Sequence, residues 1–109
     1  MVWLLRNGDV LASAEIADRA SERRKGLLGR ERVEGAFVIR PCRQVHTLGM
    51  RVPLDVAFCD VRGRVLRTCG IPPWRVSRPV WRAAFVVEAE AGAFERWGLV
   101  PGDRLEVRG

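Results

Sequence analysis

The chain has 109 residues with 48% hydrophobic and 29% charged, enough for one globular domain and no second, and unlike a disordered or fibrous protein. Its formal charge of +6 comes almost wholly from arginine, with Lys25 the only lysine, which predicts attraction to anions and suits planar pairing with carboxylate or phosphate. No apolar run nears the roughly 20 residues that cross a bilayer, and the apolar opening is cut at Arg6-Asn7-Gly8-Asp9, so neither a membrane span nor a secretory signal is expected.

In chain order, residues 2–6 and 10–17 read as a hairpin about Asn7-Gly8-Asp9, because Asn-Gly between apolar runs favours a two-residue turn. Within the second strand Val10, Ala12, Ala14 and Ile16 alternate with Leu11, Ser13, Glu15 and Ala17. A short helix follows, with Ser21 as its cap, Glu22 at its positive end, Gly29 as its stop, and Leu27 and Leu28 facing the core. Residues 36–40 form a strand stopped by Pro41. Residues 54–60 form another, with Leu54, Val56 and Phe58 on one face, turning at 61–64 into a strand over 65–69.

Ile71-Pro72-Pro73-Trp74 breaks regular structure. A strand over 83–90 sets Phe85, Val87 and Ala89 opposite Val86 and Glu88, and Glu88 and Glu90 near its end are expected to pair with arginines. One or two helical turns over 91–97 close at Gly98, a Pro101-Gly102 turn follows, and residues 105–107 end the chain as a strand. Many short strands with turns between them and no long crossover helices predict a mainly β domain spanning 1–109. The expected architecture is a small β sandwich or partly open barrel with one or two short helices.

The cysteines, Cys42, Cys59 and Cys69, are odd in number and lack Cys-x-x-Cys spacing, which argues against a disulfide framework and for a reduced, cytoplasmic setting. Cys59, inside an apolar run, reads as a core residue.

Four ordered segments resemble the family known as domain of unknown function 192. They are Arg23-x-x-Gly26-Leu27-Leu28-Gly29-Arg30, Val52-Pro53-Leu54-Asp55-Val56-Ala57-Phe58, Val87-Glu88-Ala89-x-Ala91-Gly92 and Gly98-Leu99-Val100-x-Gly102-Asp103. The resemblance implies a mostly β fold with a short helix after the first hairpin, and no established activity. Where many relatives carry an aromatic-Trp-Met-Lys-Asn-Thr segment, this chain has Val45-His46-Thr47-Leu48-Gly49-Met50-Arg51, which implies that specificity differs if that loop makes the site.

Polar chemistry concentrates between Arg40 and Asp55, and the candidate ligand-binding residues are Arg43, His46, Thr47, Met50, Arg51, Asp55, Trp74 and Arg75. The expected arrangement is a hollow between the loop 40–55 and the loop 74–82. Arg40, Arg43, Arg51, Arg75 and Arg78 would pair with anions there, between walls formed by Trp74 and Trp81. The leading reading is a binding module for a small anionic ligand or an acidic protein segment, with neither a cofactor nor a metal implied, acting as a monomer or weak homodimer.

A hydrolase-like enzyme using His46 oriented by Asp55 is the alternative from another class. Against it stands Asp55 as a cap of the Pro53 loop, accepting from backbone N–H groups there, with His46 packed as a satisfied residue. Cys42 with His46 suggests a thiol–imidazole pair only if space brings them together, and their spacing does not match structural zinc. No phosphate-cradling motif occurs. The arginine–tryptophan alternation over 74–82 suits single-stranded nucleic acid, the third reading.

Overall fold

The computed structural model describes residues 1–109. In chain order it contains β1 (Val2–Arg6), β2 (Asp9–Ala17), α1 (Ala20–Lys25), β3 (Ala36–Ile39), β4 (Leu54–Cys59), β5 (Val65–Ile71), β6 (Phe85–Glu90), α2 (Ala93–Trp97) and β7 (Leu105–Arg108). The strands form one seven-stranded sheet in the order β5-β4-β6-β3-β2-β1-β7. Every neighbouring pair is antiparallel except β2 and β3, whose parallel pairing requires the crossover that carries α1.

The sheet curls until its two outer strands meet at one end. Arg64 and Arg104 form a bridge there, Val65 N–H donates to Asp103 O at 2.8 Å, and Leu105 N–H donates to Gly63 O at 2.8 Å. The partly open barrel is therefore the architecture found. Gly63 permits the closure: its φ is +86°, and a Cβ there would lie 2.1 Å from Leu105 O.

The β1–β2 turn has Asn7 at φ 52° and Gly8 at φ 85°, the left-handed pair that an Asn-Gly hairpin turn demands. Past it the alternation breaks. Leu4 pairs with Ala12 but Leu5 with Val10, so Leu11 is bulged and Val10 turns outward, 58% exposed. The first helix is capped by Arg19 rather than Ser21, with Arg19 N–H donating to Glu22 Oε1 at 3.1 Å. It stops at Gly26, whose φ of +49° leaves the right-handed helix before Gly29 is reached. Leu27 is buried as expected, but Leu28 is 46% exposed because the early stop turns it away from the sheet. β5 also runs two residues past its expected end, to Ile71.

Two apolar clusters lie on opposite faces of β3, β4 and β6. Ala36, Val38, Ala57, Cys59, Val87 and Ala89 join Leu4, Val65 and Leu105 inside the curl, where α2 adds Ala93 and Phe94. Phe37, Ile39, Leu54, Val56, Phe58 and Val86 form the other face, packed beneath Leu27, Val33, Val45 and Met50. Small residues inside and large ones outside follow from the curvature. The second face carries a cavity against α1.

Candidate functional site

The loops 42–50 and 72–80 lie against one another. His46 bridges to Val76, Thr47 N–H donates to Arg75 O at 2.8 Å, Ser77 N–H to Val45 O at 2.8 Å, and Val80 N–H to Arg43 O at 2.8 Å. Thr47 is the pin. Its fully buried hydroxyl donates to Pro72 O at 2.6 Å and accepts from Arg75 N–H at 3.0 Å, while its carbonyl accepts from Trp74 N–H at 2.9 Å. These bonds hold Trp74 at φ 64°, unusual for a bulky residue.

The loops 40–55 and 74–82 share a wide depression, bordered by Pro41, Cys42 and Arg43 from one and Trp81 and Arg82 from the other, but of the expected arginines and tryptophans only Arg43 and Trp81 reach it. The cavity opens on the other flank of residues 42–50, toward α1, and has a volume of about 420 Å³. Its apolar lining includes Leu27, Leu28, Ile39, Val45, Met50 and Leu54. Arg23, Arg24 and Lys25 border it from α1, and His46, Cys42 and Gln44 from the loop.

Glu88 is its one acidic lining residue. Strand alternation puts this side chain on the large-residue face, where it pairs in register with Phe37 on β3 and Val56 on β4. The residue is 3% exposed, its oxygens make no hydrogen bond with the protein, and they keep contact with the cavity. Burial pushes its carboxyl up to about 7. A lone buried carboxylate opposes folding, and such groups gather where a ligand or a reaction needs them.

Cys42 stands beside it. Its Sγ–H donates to Gln44 O at 3.2 Å. Burial pushes the thiol up, the Gln44 backbone acts to lower it, and nearby Glu88 and Arg23 raise and lower it respectively. The net effect is a neutral thiol, unlike an activated nucleophile. The three cysteines are free, and burial pushes Cys59 up to about 12. No three His, Cys, Asp or Glu side chains lie close enough together to share a metal ion.

The eight candidate residues fall in different places. His46 and Met50 line the cavity, His46 at the exposed rim with Nδ1 accepting from Leu48 N–H at 3.2 Å, and Met50 buried at 5% exposure. Thr47 is sealed inside the loop pairing. The Nε–H of Arg43 donates to Ala83 O at 3.3 Å, and its side chain borders a separate wide depression. Arg51 lies on the surface, 3.5 Å from the Glu31 carboxylate. Trp74 is 64% exposed, and Arg75 donates to its carbonyl at 3.2 Å while lining a third hollow beside Phe58 and Ile71.

Asp55 lies on the opposite face of the sheet from Leu54 and the cavity. Its Oδ2 accepts from Gly92 N–H at 3.0 Å and Phe94 N–H at 3.1 Å, capping α2 where Gly92 has no side chain to do so. Such a cap contributes about 0.5–2 kcal/mol. The sheet therefore separates Asp55 from His46, and the two do not form the pair that a His–Asp enzyme requires.

Glu88, Arg23 and Arg24 were not among the candidates. Glu90 does pair with arginine, accepting from Arg96 at 2.6 Å, but Glu88 does not. The available signal was alternation, since Glu88 shares a face with Val86 in a strand that is otherwise apolar until Glu90.

The wide depression, about 1070 Å³, is bordered by Arg43, Arg62, Arg64, Arg82, Arg104 and Trp81. Asp60 at its edge accepts from Arg62 N–H at 2.9 Å and Arg64 N–H at 3.0 Å, and these bonds hold its carboxyl below the usual range.

No helix is long and apolar enough to cross a membrane. Among known proteins, the chain is 31% identical over 111 residues to the UPF0127 protein of Pyrococcus furiosus, covering 97% of this chain and 96% of that protein. A crystal structure of a protein of unknown function from Novosphingobium aromaticivorans aligns with a TM-score of 0.82 at 23% identity, over 96% of this chain and 82% of that one. Another, from Sinorhizobium meliloti and described as a proposed transcription regulator, aligns with a TM-score of 0.79 at 25% identity, over 97% and 91%. The model of the domain of unknown function 192, described as uncharacterized ACR, COG1430, matches residues 2–107, and the chain belongs to that family.

Proposed function

We propose that the protein is a binding module, not an enzyme, that takes a small anionic ligand into the cavity between α1 and residues 42–50. The observation that carries this reading is the lining itself. A volume of about 420 Å³, apolar walls from β3, β4, the loop 42–50 and the turn after α1, and three cationic side chains on one helix match the usual design of a small-molecule site. The anion-pairing role expected of Arg40, Arg43, Arg51, Arg75 and Arg78 passes to Arg23, Arg24 and Lys25. His46 and Met50 keep their place in the site.

Titration of the 15N-labelled protein with caproate, an alkyl chain bearing one carboxylate, tests it. Amide shifts should concentrate at Leu27, Leu48 and Met50, and neutralising Arg23, Arg24 and Lys25 together to Gln should weaken binding by about tenfold or more. Shifts confined to the outer arginines, or unchanged affinity in the triple variant, would dismiss the site.

A second reading rests on the wide depression. Trp81 is 73% exposed among five arginines, none of which is salt-bridged, an arrangement suited to stacking a base and holding phosphates. The description of the Sinorhizobium relative points the same way. Binding of a short oligothymidylate should then weaken with salt, at about 0.7 in log–log slope per phosphate neutralised, and should fall in Trp81→Ala. Affinity indifferent to salt would end this reading.

A further inference from the structure

Charge is segregated along the cavity. Glu88 is the only acidic side chain in the lining, placed on the sheet, while Arg23, Arg24 and Lys25 stand together on α1. Leu27, Ile39, Met50 and Leu54 supply apolar surface to the same space. A ligand that was only anionic would leave the buried carboxylate without a donor, at the cost that such a group carries. A ligand that was only cationic would meet three like charges at the rim. Complementarity therefore calls for a molecule with opposite charges at its two ends and an apolar middle.

We infer that the ligand is a small zwitterion whose protonated amine donates to the Glu88 carboxylate while its anionic end stays with Arg23, Arg24 and Lys25. The inference rests on the cavity being the site, and it adds what the deep end recognises. The amine supplies the hydrogen-bond donors that the protein withholds from Glu88. In a space lined by Ile39, Met50 and Leu54, that contact gains from the low local dielectric. The same chemistry is present in free amino acids and in longer ω-amino acids, and probe length distinguishes them.

Binding should also depend on pH. The groups around Glu88 are Phe37 and Ile39 on β3, Leu54 and Val56 on β4, Cys42 and His46 on the loop, and Arg23, Arg24 and Lys25 on α1. With its carboxyl near 7, Glu88 gains the charge that an ammonium needs as pH rises from about 6 to about 8. Amine-bearing ligands should bind more tightly across that range.

The probes are alanine, γ-aminobutyrate and ε-aminocaproate, the matched acids propionate, butyrate and caproate, and n-hexylamine, each titrated into the 15N-labelled full chain. At about pH 8 at least one amino acid should bind about tenfold or more tighter than its matched acid and than hexylamine. Glu88→Gln should reduce that preference to within about twofold while keeping affinity for the plain acid, which also shows that the variant is folded. In His46→Gln the rise with pH should persist, so that the imidazole is not its source.

Equal affinity for an amino acid and its matched acid would overturn the zwitterion while leaving the cavity as the site. Affinity for the amino acids that falls as pH rises would overturn it too, since Glu88 would then be acting as a proton donor. No shift at the lining residues with any probe would overturn both the zwitterion and the cavity reading.

Discussion

Replacing Thr47 by valine, which keeps the shape and removes the hydroxyl, is expected to destabilise the protein by about 2–4 kcal/mol. The side chain is fully buried, and its oxygen both donates to Pro72 O at 2.6 Å and accepts from Arg75 N–H at 3.0 Å. Valine leaves one carbonyl and one N–H in place without that partner, each at about 1–3 kcal/mol. Urea denaturation of both proteins measures it, with the slope constant so that the shift in midpoint is a shift in stability. A change below about 0.5 kcal/mol, the range of ordinary surface substitutions, would mean that the hydroxyl does not pin the loops. Because the same loop walls the cavity, the variant should also lose caproate affinity.

Glu88→Gln is expected to act in the opposite direction, and only above acidic pH. The folded carboxyl titrates near 7 and its ordinary value is 4.5, so between those values the folded protein holds more protons than the unfolded chain. Stability therefore falls as pH rises through this window, and above it the full penalty of the buried charge is present. At 1.36 kcal/mol per unit, that penalty is about 3 kcal/mol. Glutamine removes it. Relative to the wild type, the variant should gain about 3 kcal/mol between about pH 4 and about pH 8.

A buried amide has its own cost, but that cost is the same at both pH values, so the difference between them is the quantity to read. A stability difference independent of pH would show that Glu88 is not held in a desolvated site. A residue that destabilises the fold at neutral pH and sits in a cavity fits a stability–function trade-off.

Local chemistry determined much of this protein from its sequence. Asn7-Gly8 dictates a left-handed hairpin turn, the alternation in Leu54–Cys59 assigns two faces to a strand, and Pro101-Gly102 marks the last turn. Each depends on backbone dihedrals or on the two-residue period of a strand, which neighbouring residues specify by themselves. The mainly β class and the family resemblance follow from such signals in order.

The tertiary structure alone decided what the polar residues do. Asp55 and His46, nine positions apart, stand on opposite sides of a sheet because Leu54 and Asp55 point to opposite faces. Thr47 became a buried pin only when residues 72–76 folded back onto it, and Gly26 exposed Leu28 by ending the helix early. Glu88 acquired its role through the register of β6 between β3 and β4, beneath a helix more than sixty residues away in the chain. Burial and charge are properties of what surrounds a residue in space, and those surroundings come from distant parts of the chain.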